Sequence, residues 1–282
     1  MTEKNVNKPP ASGTQIPVNK EIQNNLQDVK HVLVVMSGKG GVGKSTVAAN
    51  LALYLSMQGK SVGLLDCDIH GPSIPKLLGI TAATPEATEE GISPIMVPPN
   101  LKVMSMAFLL PSADSPVIWR GPIKMKVIKD FLGKVQWKKL DYLVVDLPPG
   151  TGDEPLSIAQ LISDVEGAII VTTPQNVALL SVRKSINFAR MVDIPVLGII
   201  ENMSGFVCPH CSQEVDIFGI GGGEKAAEEL DIPFLGRIPL DKKIVESGEQ
   251  GKPFAIFEKE TSSAKAFAAI VENIEDIAEK KR

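Results

Sequence analysis

"HVLVVMSGKGGVGKST", residues 31–46, decides the fold. Its opening, "HVLVVM", is an almost unbroken apolar run, the pattern of a strand covered on both faces in a parallel sheet. Gly38 to Ser45 then satisfies G-x-x-x-x-G-K-[ST]. Residues 45–60 follow with Val47, Leu51, Tyr54 and Leu55 at helical spacing and Gly59 as a stop. Strand, glycine-rich loop and helix in that order form a cradle for phosphate, with loop N–H groups and the helix N-terminus turned to anionic oxygens. Lys44 is placed to reach the β and γ phosphates of a nucleotide, and Ser45 to put its hydroxyl on Mg²⁺. The whole loop (Gly38, Lys39, Gly40, Gly41, Val42, Gly43, Lys44, Ser45 and Thr46) is the expected contact surface. A dinucleotide fingerprint would not need Lys44-Ser45.

Lys39 is the odd residue. Lys44 already fills the cationic position, and the motif alone leaves Lys39 either facing solvent or serving a second purpose.

Outward from this loop, strand and helix patterns alternate. Ile22, Leu26 and Val29 suggest a short helix, and "SVGLLDCD" (61–68) a second strand. Residues 141–146 and 165–172 read as strands, 176–192 as a helix, and "IPVLGIIENMSG" as a strand ending near Asn202. A last strand falls near 233–238 and a C-terminal helix over 254–278; "LKVMSMA" in the 81–106 insert reads as a short strand in which Met104 and Met106 fill core space. The fold class expected is α/β: one open, doubly wound, mostly parallel sheet of the P-loop NTPase type. In such sheets ligands gather at the carboxyl ends of strands. The expected division is a flexible tail, 1–18, and a single ATPase domain, 19–280, carrying a cysteine loop at about 204–217.

The 282 residues are 44% hydrophobic with a formal net charge of −4. That balance offers no broad basic field for nucleic acid. The N-terminus has no apolar signal-peptide region and no run is long enough to span a membrane, so neither secretion nor stable membrane association is expected. Three cysteines suit a reducing, cytoplasmic setting.

Three carboxylates sit at strand ends. Asp146 closes "YLVVD" and is followed by "LPPGTGD"; it suits a magnesium ligand or an acceptor from the metal's water shell. Gly150 and Gly152 allow the loop behind it to move. Asp66 and Asp68 leave the second strand two residues apart and on one side. Asp66 is assigned to the metal's water shell and Asp68 to orienting the attacking water.

Cys208 and Cys211 form a C-x₂-C pair, half of a tetrahedral thiolate site. His210 is an awkward third ligand because it lies between them. Two pairs related by a two-fold axis would supply four thiolates, the number needed by a [4Fe–4S] cluster or by zinc. A redox dithiol, although without the βαβ setting of thioredoxin-like motifs, and a functionless surface pair are the other readings.

"GKGGVGKST" resembles the deviant phosphate-loop signature of the MinD/ParA ATPases and the nitrogenase iron protein. The resemblance implies a homodimer in which Lys39 crosses to the partner's nucleotide and meets charge that shifts during phosphoryl transfer. With "DCDIHGPSIP", "VDLPPGTGDE", "ENMSGFVCPHC" and "GRIPLD", roughly residues 30–275 resemble the Mrp/ApbC branch. That likeness implies an ATP-hydrolysing carrier or scaffold whose two subunits share a [4Fe–4S] cluster at Cys208 and Cys211. Donor proteins of cluster assembly and apo iron–sulfur acceptors are the implied partners. It places the adenine edge against Asn202 and the segment Pro239-Leu240-Asp241, with Arg237 bordering the nucleotide. Residues 1–30 have no cysteine, and about 30 residues precede the phosphate loop. Neither the N-terminal cluster of some cytosolic relatives nor the small leading domain of some bacterial ones is therefore expected. Residues 147–160 also lack cysteine, which disfavours nitrogenase-like electron transfer. A positioning ATPase of MinD/ParA type and an ATP-controlled dimer around structural zinc remain the alternatives.

Overall fold

A computed structural model describes residues 19–68, 71–110, 121–162, 164–175, 178–208, 211 and 213–280. The expected tail 1–18, His70, Trp119, Arg120 and His210 lie outside the described residues. A short helix α1 (Lys20–Leu26) leads into β1 (Val29–Met36), the loop, α2 (Lys44–Met57) and β2 (Val62–Asp66). A one-turn α3 (Ile74–Leu77) and a small β3–β4 hairpin (Ala87–Thr88, Gly91–Ile92) precede β5 (Ile95–Val97) and β6 (Leu101–Ser105). Then come α4 (Gly121–Lys134), β7 (Leu140–Asp146), α5 (Asp153–Ala159), β8 (Val165–Thr172) and α6 (Ala178–Met191). The chain continues through β9 (Val196–Val207), β10 (Glu214–Val215), α7 (Gly222–Leu230) and β11 (Phe234–Leu240). It finishes with α8 (Lys242–Gln250), α9 (Phe254–Phe257) and α10 (Ser262–Lys280).

Among the described residues the main sheet has nine strands in the order β10-β9-β8-β1-β7-β2-β6-β5, with β11 also paired to β9. All its pairings are parallel except those of β5 and β10. The alternation within β1 explains the double winding. Val32, Val34 and Met36 enter one core with α1, α4 and α6; Leu33 and Val35 enter the other with α2, α9 and α10. Each fully buried aliphatic or aromatic side chain contributes roughly 1.5–3 kcal/mol, so a strand apolar on both faces is stable only between two such layers. Trp137 is wholly buried and donates from its indole N–H to the Phe131 carbonyl at 3.0 Å, which satisfies its polar end.

Several boundaries depart from the sequence reading. Val29 opens β1 rather than closing α1, because it pairs with Leu140. The apolar stripe expected on α2 is wider, since Ala48, Ala49, Ala52 and Leu53 are buried too. The single C-terminal helix is two: Thr261 accepts from the Ala264 N–H at 3.1 Å and starts α10 afresh after α9. Strand β9 does not stop near Asn202. Met203 (φ +58°) and Gly205 (φ +72°) turn it, and it runs on to pair Phe206 and Val207 with β10.

Candidate functional site

Three strand ends, those of β1, β2 and β7, converge on the glycine-rich loop. Register pairs Asp66 with Asp146 across β2 and β7, and Val35 with Asp146 across β1 and β7, so both carboxylates arrive beside the loop that follows β1. A cavity of about 200 Å³ there is lined by Gly41, Lys44, Ser45, Thr46, Asp68 and Pro149, among others. A second cavity of about 320 Å³ shares Gly43 and Thr46 with it and is walled by Asn202, Met203, Pro239, Leu240 and Asp241. The first presents loop glycines, hydroxyls, the Lys44 ammonium and the Asp68 carboxylate, the groups that suit a phosphate site. The second, largely apolar, has the character of a base and sugar site.

At Gly43 the loop cannot take a side chain. Its φ is +80°, and a Cβ there would collide with the Asn202 amide. Asn202 donates from Nδ2 to the Val42 carbonyl at 2.8 Å, bracing the loop against β9. It is buried mid-strand rather than capping a strand end. Asp241 caps α8 through the Lys243 N–H at 2.9 Å and accepts from the Ser263 hydroxyl.

Lys44 Nζ lies 2.6 Å from Asp146 Oδ1, with the two side chains 5% and 0% exposed. Asp146 Oδ2 is buried and has no hydrogen-bond partner. An acceptor left bare beside Lys44 and Ser45 suits a metal ion or its water, and the residues fit Mg²⁺. Burial raises the Asp146 pKa, and the Lys44 ammonium opposes that rise. Asp66 is wholly buried beneath the cavity, where its Oδ2 accepts from the Ser105 hydroxyl at 2.8 Å and its Oδ1 from the Asp68 N–H at 3.1 Å. Asp68 itself lines the cavity and accepts from the Gly71 N–H. The two residues of "DCD" thus divide between a buried support and an open carboxylate.

Burial pushes Asp66 up to about 7, the nearby Asp146 charge adding to the rise. The native protein therefore keeps a proton on Asp66 between the ordinary 3.8 and about 7, where the unfolded chain has released it. Stability from this group falls as pH climbs through that window and levels off above it. Nucleotide-free wild type should lose several degrees in Tm relative to Asp66→Asn between about pH 4 and pH 7. A Tm difference that stays flat across that range would contradict this assignment.

Lys39 reaches Gln175 Oε1 at 3.3 Å on the surface. Arg237, expected to border the nucleotide, pairs with Glu224, lies 3.7 Å from Glu201 and is not among the residues lining either cavity. On β11 it faces the α7 side of the sheet beside these two carboxylates. Residues that the sequence reading missed include Ser105, whose only signal is a hydroxyl at the carboxyl end of β6. Glu201, Gln175 and Met203 were missed as well; a glutamate inside "GIIENM" is a detectable signal, a charge in an apolar strand.

Cys208 and Cys211 follow β9 at the tip of the β9–β10 hairpin. The Cys208 N–H donates to the Gln213 carbonyl at 2.9 Å, and neither thiol is in a disulfide. Cys208 is half-buried and Cys211 exposed. Around them Val207, Val215, Ile217, Phe218 and Ile220 are 39–50% exposed, an apolar surface concentrated on one loop. Among the described residues no group of three or more His, Cys, Asp or Glu side chains gathers as a metal site. Nor is any described helix long and apolar enough to cross a membrane.

Residues 28–275 match the sequence profile of the NUBPL iron-transfer P-loop NTPases of the ParA group. The chain belongs to this family. Iron-sulfur cluster carrier proteins of Methanocaldococcus jannaschii and Saccharolobus solfataricus are similar to this NUBPL-type NTPase. The first is 54% identical over 257 residues, covering 90% of this chain and 89% of its own. The second is 48% identical over 262 residues, covering 93% and 88%. A nucleotide-binding protein from Archaeoglobus fulgidus in complex with ADP superposes with a TM-score of 0.77 at 40% identity, over 89% of this chain and 97% of its own. The cell division ATPase MinD of Pyrococcus furiosus gives 0.66 at 26% identity, over 88% and 100%. The doubly wound sheet read from the sequence is the architecture of these P-loop NTPases.

Proposed function

We propose that this NTPase is an ATP-hydrolysing homodimer that carries an iron–sulfur cluster on Cys208 and Cys211 and hands it to apo-proteins. One observation carries the reading: β9 bears Asn202 in the wall of the base cavity and, past its turned end, Cys208. Nucleotide and cargo elements are thus one strand. The names of the relatives from Methanocaldococcus and Saccharolobus support the cargo, and the A. fulgidus complex with ADP supports the nucleotide.

In this reading Asn202, Pro239, Leu240 and Asp241 hold the base, and residues 38–46 the phosphates. Lys44 exchanges the Asp146 carboxylate for phosphate oxygens. Asp146 and Ser45 would hold Mg²⁺, with Asp66 behind them and fixed by Ser105; an ion held there would supply positive charge to offset that of the phosphates. Asp68 orients the water that attacks the γ-phosphorus as the bond to the ADP oxygen breaks. Lys39 leaves Gln175 for the facing subunit's nucleotide.

The cargo needs the second copy too. Two thiols are half of a four-thiolate set, and the apolar rim of Val207, Val215, Ile217, Phe218 and Ile220 favours contact with a like surface. Anaerobic reconstitution should yield about four iron and four sulfide per dimer, with none retained by C208A/C211A. Zinc held without sulfide would replace this cargo with a structural metal. Dimers that instead pellet with DNA or liposomes on ATP, and hold no cluster, would favour a positioning ATPase.

A further inference from the structure

Glu201 is a fully buried carboxylate that the proposed chemistry does not use. Its Oε1 accepts from the Gly221 N–H at 2.8 Å and from the Ser204 hydroxyl, and its Oε2 accepts from the Gly223 N–H. The Arg237 guanidinium lies 3.7 Å away on its outer side. Ser204 stands before the cysteine loop, and Gly221 and Gly223 stand after it. Glu201 therefore ties the two stems of the segment that carries Cys208 and Cys211. The second stem is also wedged: a Cβ at Gly222 would run into the Pro174 carbonyl, one residue from Gln175, which holds Lys39.

The neighbouring residue faces the other way. Successive strand residues point to opposite faces, and the cores follow suit: Ile199 packs with Ala226 and Ala227 of α7, Ile200 with Val42 and α2. Asn202 consequently reaches Val42 of the phosphate loop, while Glu201 reaches the start of α7. Met203, held at φ +58°, walls the base cavity and joins Asn202 to Ser204. A non-glycine residue in that region is uncommon and costs free energy, so it persists only where its surroundings hold it. Asn202 and Met203 thus lie within two residues of the carboxylate that closes the cysteine loop.

We infer that Glu201 is a positioning residue that sets the placement of the Cys208–Cys211 loop according to the occupancy of the nucleotide cavity. This deepens the proposed function and rests on its reading of that loop as the cargo element. Linkage makes the effect reciprocal: a nucleotide that shifts the loop has its own affinity shifted by the same factor when the loop is held.

The test reads thiols, so it needs no cluster. Cys67 is buried, leaving Cys208 and Cys211 as the thiols open to Ellman's reagent. In wild type, the labelling rate should change by at least about 5-fold between nucleotide-free protein and protein saturated with Mg·ATP or Mg·ADP, the lower range of measured couplings. Glu201→Gln keeps the shape, but its amide must turn an NH₂ toward the Gly221 or the Gly223 N–H, so one tie is lost. The variant should bind ADP within about 3-fold of wild type, as a residue outside both cavities, while the nucleotide effect on labelling falls below about 2-fold, a loss of most of the coupling. A wild type whose labelling ignores bound nucleotide, or a Glu201→Gln that keeps the full response, would overturn the inference. Should Glu201→Gln not fold, Ser204→Ala removes a single hydroxyl and decides the matter: a weakened response supports the clasp and an unchanged one rejects it. If thiols respond to nucleotide in a protein that retains no iron and sulfide, the cargo reading fails and the role of Glu201 stands.

Discussion

Lys44→Met is expected to weaken ADP and ATP binding by at least about 100-fold, the loss of a charge-assisted contact to phosphate. It is also expected to destabilise the nucleotide-free protein by about 3–5 kcal/mol, the usual cost of stranding one member of a buried ion pair. The pair is as buried as any in the described chain, at 2.6 Å with side chains 5% and 0% exposed. Burial already raises Asp146, and the Lys44 charge is the first influence that opposes this. Removing it pushes Asp146 further toward its protonated form, so the stability loss should shrink as pH falls. Lys44→Met/Asp146→Asn, which takes away both charges, should recover most of the stability and none of the binding. Denaturant unfolding and calorimetric ADP titration separate the two effects. A double variant no more stable than Lys44→Met would mean that the pair contributes packing rather than charge compensation.

Lys39→Ala should behave in the opposite manner. Its tie to Gln175 is a 3.3 Å surface contact with a neutral amide, so its loss leaves stability within about 0.5 kcal/mol. ADP affinity should also hold. Turnover should fall by about 10³-fold or more, the scale on which a cation supplied from outside the loop accelerates phosphoryl transfer. Mixing supplies the decisive control. In the proposed dimer, subunits carrying Lys39→Ala and subunits carrying Lys44→Ala should each be inactive alone, yet a mixed dimer would have one site with Lys44 in its own chain and Lys39 from its neighbour. Mixtures should regain turnover that neither parent has. If they stay silent while dimers demonstrably exchange, Lys39 acts on its own chain's nucleotide or not at all.

Much of this arrangement was legible because its physics is local. The run from His31 to Met36 reads as a two-faced strand, and the glycines with Lys44 and Ser45 read as a phosphate cradle, from neighbours in sequence alone. The strand ends Asp66 and Asp146 were legible as chemistry for the same reason, although the burial of Asp66 against an open Asp68 was not: Asp66 sinks against Ser105, 39 residues away. The ion pairs of Arg237 with Glu201 and Glu224 were not legible, because those partners meet it only through the β9–β11 pairing and the packing of α7. The extension of β9 past Asn202 escaped notice because Met203 adopts a left-handed backbone that no propensity favours, and the reward for it, pairing with β10, lies beyond the cysteines.

The Lys44–Asp146 contact means that the resting cradle carries its own counter-ion. A free phosphate or a stray carboxylate arriving there meets a lysine already neutralised, and must strip it from a partner buried at its side. A ligand that brings a base for the Asn202 cavity and a cation to quiet Asp146 makes that exchange on far better terms. On the proposed assignment of these residues, selectivity against the cell's abundant small anions would follow from the idle state of the pocket.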